Sequence, residues 1–113
     1  MKVYEVKPPL DKKIQFSLRY RKVLPKESGC YLLATFDENV LYVGLTNNLH
    51  KRFAEHRDDE KKCGITPKGR AFWFYYSQCA EKELYRIERT WQNQHLEIHG
   101  ILPVLNSIKS PVR

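Results

Sequence analysis

Two runs of strand formers in this chain are separated by only three turn residues, and that spacing leaves them one simple way to pair. Cys30-Tyr31-Leu32-Leu33-Ala34-Thr35-Phe36 is followed by Asp37-Glu38-Asn39, which supplies turn chemistry. Val40-Leu41-Tyr42-Val43 comes next and ends at Gly44. Two strands joined so closely make an antiparallel hairpin. Behind it, Thr46-Asn47-Asn48 is a cluster of helix-capping residues, and Leu49, Phe53 and His56 repeat at helical spacing. Residues 59–70 (DEKKCGITPKGR) read as a polar, mobile loop. Ala71-Phe72-Trp73-Phe74-Tyr75-Tyr76 is the strongest strand signal in the chain. A helix is expected from about Ala80 to Ile98, with Gly100 as its stop. The tail Ile101–Asn106 is apolar enough to pack back onto the body.

The order β-β-α-β-α predicts an α+β fold, a small sandwich with helices flanking a three-stranded, mostly antiparallel sheet. At 113 residues the chain makes one domain, since two would each lack a core. Residues 1–27 form a basic N-terminal extension with Pro8, Pro9 and Pro25. The weak alternation from Ile14 to Leu18 suggests a short strand or an arm. Residues 28–108 form the domain and residues 109–113 a tail. No apolar run reaches the roughly 20 residues that a membrane span needs, and the N-terminus has no signal-like apolar stretch. A cytoplasmic location without membrane contact is the expectation.

Charge narrows the partner. Lys and Arg number 20 against 13 Asp and Glu, a net +7 with pI near 9.4. The excess sits in residues 1–28 (eight basic, three acidic) and 61–113 (nine basic, four acidic). Such a chain is suited to polyanions, nucleic acid first among them, although a merely soluble surface would read the same way. Cys30, Cys63 and Cys79 are an odd number without a C-x-x-C pair, so reduced thiols are expected rather than a disulfide framework. Cys63 and Cys79 with His95 and His99 could in principle bind zinc, but their spacing is not that of a zinc knuckle.

Several polar residues fall on apolar faces. On the second helix Leu84, Ile87, Trp91 and Ile98 form one stripe, and Glu88 lies at its edge. A carboxylate there needs a cation, whether a basic neighbour or a metal. Arg52 and His56 share a side of the first helix, and each could equally be a surface group. Tyr31 and Tyr42 are central in their strands, eleven residues apart, which allows adjacent positions on one face.

Taken together, Gly29-Cys30-Tyr31, Tyr42-Val43-Gly44, Asn48-Leu49-x-x-Arg52-x-x-x-His56, the helix acid Glu88 and Pro103-x-x-Asn106 resemble the signature of the GIY-YIG nuclease superfamily over residues 28–108. Cys30 stands where an aliphatic residue is usual, and Val43 where isoleucine is. The resemblance implies the same β-β-α-β-α core and metal-dependent hydrolysis of nucleic-acid phosphodiesters, DNA in particular. It implies that Tyr31 activates or positions the attacking water with Tyr42 as its partner, and that Arg52 grips the scissile phosphate. His56 would assist proton handling, Glu88 would bind Mg²⁺ or Mn²⁺, and Asn106 would support the rim of the site.

The residue types suit that chemistry. A guanidinium fork holds phosphate oxygens and stays charged at any working pH. One carboxylate completed by water and phosphate oxygens suits Mg²⁺. Tyrosine, with a free pKa of about 10, is a poor base unless its surroundings lower that value, and His56 is the rival base. Backbone or structure recognition is expected rather than strong sequence reading, with a homodimer or a protein partner as a possible source of specificity. Two other readings remain open. One is a non-catalytic nucleic-acid-binding module that stacks bases on Trp73, Tyr75 or Tyr76; the other is a zinc-stabilised interaction domain.

Overall fold

A computed structural model of the chain describes residues 1–106. Its strands are β1 (Lys12–Gln15), β2 (Gly29–Ala34), β3 (Val40–Thr46) and β4 (Trp73–Gln78), and its helices are α1 (Leu49–Arg57), α2 (Glu60–Cys63) and α3 (Leu84–His99). The strands form one antiparallel sheet in the order β1–β4–β2–β3. The fold is thus α+β, and the hairpin is present as expected. The sheet has four strands rather than three, because Lys12–Gln15 pairs with β4 from Lys12↔Tyr76 to Gln15↔Trp73. A strand reading KKIQ carries almost no apolar signal. It needs none, because an edge strand is held by hydrogen bonds on one side and its lysines stay in water.

β2 explains the architecture. All six of its residues are buried, since both faces of this central strand are covered. Cys30 and Leu32 pack with Val40, Val43, Leu84 and Trp91 beneath α3. Tyr31 and Leu33 pack with Phe16, Leu49, Phe53 and Phe74 beneath α1. That double burial is why the sequence shows a continuous apolar run instead of alternation. Gly29 opens the strand because nothing larger fits. A Cβ there would lie 2.5 Å from the Ser77 carbonyl oxygen and 2.7 Å from Leu49 Cδ1.

α1 starts where the capping cluster put it. The Asn48 side chain accepts the Lys51 N–H at 3.0 Å, satisfying one of the donors a helix start leaves open. Leu49 and Phe53 are fully buried beneath it, each contributing about 2 kcal/mol of apolar burial. Phe53 meets Phe16 and Phe74 edge-on at 5.3 and 5.0 Å between ring centroids.

Other expectations shift. β2 ends at Ala34, and residues 35–39 form the turn, with Glu38 left-handed at φ 67° and a register shift beside Leu33 and Ala34. The stretch expected as a mobile loop opens with a helical turn, α2, capped by Asp59 accepting the Lys61 N–H at 2.9 Å. α3 begins at Leu84 after a single 3-10 turn at Glu81–Glu83, not at Ala80, and ends at Gly100 with φ 75°. Leu84 and Trp91 are buried, but Ile98 is 51% exposed. The final turn, residues 96–99, carries no buried side chain, so the apolar stripe continues past the surface it could cover. Leu105 N–H donates to the Leu41 carbonyl, so the tail does return to the body along the β3 edge. Residues 107–113, with the end of the expected domain and the expected tail, lie outside the described residues.

Gly29→Ala should therefore destabilise the fold by about 2 kcal/mol through overpacking against a carbonyl and a core leucine. Urea unfolding of the variant beside the wild type measures this; an unchanged midpoint would show that the strand can move aside.

Candidate active site

Antiparallel pairing sets Tyr31 opposite Gly44 and Leu33 opposite Tyr42, so Tyr31, Tyr42 and Gly44 share the α1 face of the sheet. The Tyr31 ring lies between Phe74 at 5.1 Å and Tyr42 at 6.0 Å, stacked on both. Gly44 is bare by necessity. A Cβ on it would sit 2.5 Å from the Tyr31 hydroxyl oxygen and 2.8 Å from Tyr42 Cε2. The spacing between the two tyrosines and the glycine that follows them is thus a packing requirement, with the phenol of one strand occupying the place of a side chain on the next.

Tyr31 is fully buried, yet its hydroxyl is hydrogen-bonded to His56 Nε2 at 2.5 Å. Burial pushes the Tyr31 pKa well above its ordinary value, and the neighbouring Tyr42 pushes it further. Burial also raises the Tyr42 pKa, while the neighbouring Tyr31 and Arg52 act in the downward sense. His56, Tyr31 and Tyr42 thus form a chain of packed rings, with centroids 5.4 Å apart for His56 and Tyr31 and 6.0 Å for the two tyrosines, that ends on the partly exposed phenol of Tyr42. His56 is neutral, its pKa lowered to about 3 by burial and by the nearby Lys62 and Arg52.

Cations surround this chain. Arg52, on α1, is half-exposed and pairs with Glu55 one turn on at 3.0 Å, in a contact too bent for a hydrogen bond. An exposed pair of that kind is worth under about 1 kcal/mol and yields easily to a phosphate. Arg52 also lines an open cleft of about 410 Å³ between the end of β3 at Thr46 and Asn47 and the start of α3 at Leu84 and Tyr85. Lys62, on α2, places Nζ 4.8 Å from the Tyr42 ring centroid and 3.5 Å from Asp59, with its side chain only 15% exposed. Sequence reasoning missed this residue, having assigned it to a mobile loop. The signal that could have found it is Asp59-x-x-Lys62, a cap residue followed at i+3 by a cation.

Glu88 is buried on α3, one turn beyond Leu84. Its charge adds to the upward push on Tyr31, Tyr42 and Cys30, each of which is raised chiefly by burial. The carboxylate therefore belongs to the same electrostatic neighbourhood as the phenols. Among the described residues, no three His, Cys, Asp or Glu side chains gather as metal ligands. The zinc set considered above does not assemble: Cys63 Sγ bonds to the His56 and Arg57 carbonyls, and Cys79 Sγ lies 3.5 Å from Cys30 Sγ. One hard carboxylate such as Glu88 suits an oxygen-seeking ion that keeps most of its water, as Mg²⁺ does, better than zinc, which takes several nitrogen and sulfur ligands.

Asn106 is taken up by the backbone of β3. Its Oδ1 accepts the Val43 N–H and its Nδ2 donates to the Val43 carbonyl, both at 2.9 Å. It clamps the exposed sheet edge between Tyr42 and Gly44. Of the three aromatics considered for base stacking, Tyr76 is buried against the α1 face and Tyr75 is packed on the α3 core, while Trp73 is partly exposed.

The comparison with known families agrees with this geometry. The family model for the GIY-YIG catalytic domain matches residues 27–100, well over half of the chain. The chain belongs to the GIY-YIG catalytic domain family, a nuclease family. It is also similar to the UvrABC system protein C of Prochlorococcus marinus subsp. pastoris (strain CCMP1986 / NIES-2087 / MED4), at 34% identity over 59 residues. That alignment covers 42% of this chain and 9% of the relative's length. No helix among the described residues is long and apolar enough to cross a membrane.

The suppressed His56 pKa has a consequence for stability. Its folded value, about 3, lies below the ordinary 6.5, so the unfolded chain takes up this proton first and stability falls as pH drops from 6.5 toward 3. Between pH 7 and 4.5 the histidine should account for a loss of about 2.5 kcal/mol. Urea unfolding at the two pH values should show a flatter dependence in His56→Gln by that amount. Equal slopes in both proteins would mean that His56 titrates normally.

Proposed function

We propose that the protein is a divalent-metal-dependent endonuclease that hydrolyses phosphodiester bonds of nucleic acid, DNA in the first place, reading backbone or structure more than sequence. The observation that carries this reading is a loosely held arginine that lines an open cleft and whose charge, with that of the buried Glu88, acts on both neighbouring phenols, Tyr31 and Tyr42. Family membership supports it.

On this reading Arg52 leaves Glu55 and grips the non-bridging oxygens of the scissile phosphate, where charge accumulates. Tyr42, in its ionised form, orients the attacking water and takes its proton as the new phosphorus–oxygen bond forms and the bond to the leaving oxygen breaks. Tyr31, held by His56, stacks on the Tyr42 ring and positions it, and the charges of Arg52 and Lys62 nearby favour the phenolate. Tyr31 is fully buried and Tyr42 partly exposed, which makes Tyr42 the better base, and His56 takes a positioning role, because an imidazole with a pKa near 3 is a weak proton acceptor. Glu88 would hold Mg²⁺ or Mn²⁺, whose chemistry when bound is to neutralise phosphate charge and stabilise the leaving oxygen. Asn106 keeps the β3 edge straight beneath Tyr42. One such site cuts one strand, so cutting a duplex through takes two nicks or a homodimer, and a protein partner could add selectivity.

A plasmid-nicking assay with Mg²⁺ or Mn²⁺ tests the assignment. Glu88→Gln should lower the cleavage rate about a hundredfold or more while metal-free DNA binding holds. Tyr42→Phe should cost about 10²–10⁴-fold at unchanged affinity. Arg52→Lys should also be slow, because an ammonium cannot reproduce the two-pronged contact. A Glu88→Gln protein that nicks normally but melts early would point to a structural ion pair and against the enzyme.

A further inference from the structure

Three aromatic rings gather at the far end of the sheet and belong to neither core. Phe36, in the β2–β3 turn, is 66% exposed, meets Phe72 edge-on at 5.1 Å, and lies near-parallel to Trp73 at 6.4 Å. Phe72 and Trp73 meet edge-on at 4.7 Å. None of the three is among the residues that make or pack against the two apolar clusters. The group is nevertheless ordered, because Trp73 Nε1 donates to the Phe36 carbonyl at 3.2 Å. α3 packs on β3 and β2, so the β4–β1 half of that face is left largely without a helix above it.

The surround is cationic. Lys13 Nζ lies 4.0 Å from the Trp73 ring centroid and pairs with Glu38 at 3.0 Å. A groove of about 360 Å³ on one side of the rings is lined by Phe36, Phe72, Lys68 and Arg70. Another, of about 440 Å³, is lined by Lys13, Tyr20 and Trp73. Lys12, Lys68 and Arg70 are exposed, and the acidic groups beside them are Asp37 and Glu38. Planar rings flanked by flexible cations suit an unpaired nucleobase on its phosphate backbone: the base stacks, and the lysines move to the phosphates. A base pair inside a duplex offers no free face to such a surface.

We infer that Phe36, Phe72 and Trp73, with Lys13, Lys68 and Arg70, form a second binding site that takes single-stranded nucleic acid by base stacking. It lies at the opposite end of β2 from the catalytic cleft, where Trp73 pairs with Ala34, roughly 10 Å along the strand from Tyr31. The inference rests on the nucleic-acid reading above and narrows it to substrates with an unpaired segment near the bond to be cut.

Tryptophan fluorescence tests this directly. Of the two tryptophans, Trp91 is buried at 1% exposure, so quenching by a ligand reports Trp73. Oligo(dT) added to the full chain without metal should quench the emission saturably, and a blunt duplex of equal length should quench it weakly. Phe36→Ala, at an exposed position that leaves the fold intact, should weaken oligo(dT) affinity about tenfold, and Lys13→Gln should flatten its salt dependence. Trp73→Phe should abolish the signal while keeping binding by anisotropy of a labelled oligonucleotide. Equal response to duplex, equal response to poly-glutamate, or unchanged affinity in Phe36→Ala would each overturn the site. The assay contains no metal and no cleavage, so it stands apart from the catalytic assignment. Quenching by oligo(dT) in a protein that never nicks would refute the enzyme and keep this site, and nicking without quenching would do the reverse.

Discussion

The hydroxyl of Tyr31 sits in the driest part of the molecule, between Phe74 and Tyr42, and must find hydrogen-bond partners there. A buried hydroxyl without one costs on the order of 1–3 kcal/mol. Satisfying it fixes much of the surrounding structure. Gly44 must lack a side chain so that the phenol fits, β2 and β3 must pair in a single register so that Tyr42 stacks beside it, and α1 must turn His56 inward to supply the hydrogen bond.

These requirements reach well beyond the tyrosine. α1 is held in rotation by Leu49 and Phe53 below it and by the Asn48 cap at its start, and the same rotation presents Arg52 to the cleft. α3 is fixed from the other side of the sheet by Trp91, which is buried and donates to the Pro8 carbonyl at 3.0 Å. That anchor sets where Glu88 lies, one turn earlier. The N-terminal segment is therefore structural, tying down the acid-bearing helix and supplying β1. The site is assembled from elements whose positions were already determined by core packing, which is how a small fold holds polar groups rigidly.

Much of this was legible in the sequence because it follows from strong, local signals. Asn48, Leu49, Phe53 and His56 announce α1. The turn residues Asp37, Glu38 and Asn39 announce the hairpin, although the turn they sit in is two residues longer than they suggest, and the offset between Tyr31 and Tyr42 follows from period-two geometry. β1 was harder to see, since an edge strand of two lysines, an isoleucine and a glutamine is stabilised by backbone pairing that leaves no apolar trace. Ile98 fits the helical stripe, but a wheel carries no information on where the sheet beneath it ends. Lys62 entered the site through the packing of α2 against α1, a tertiary contact that periodicity does not record.

The central claim is that one metal ion binds at Glu88 beside the phenol chain. Mn²⁺ titration of the isotopically labelled protein, followed by paramagnetic line broadening in NMR spectra, addresses it most directly, because broadening falls off steeply with distance and maps the ion without any cleavage. The account predicts early, selective loss of signals from Tyr31, Tyr42, Gly44, Arg52 and His56, little effect at Phe36 and Trp73, and no such pattern in Glu88→Gln. Broadening that spreads evenly over the surface carboxylates, or that persists around Tyr42 when Glu88 is gone, would contradict it.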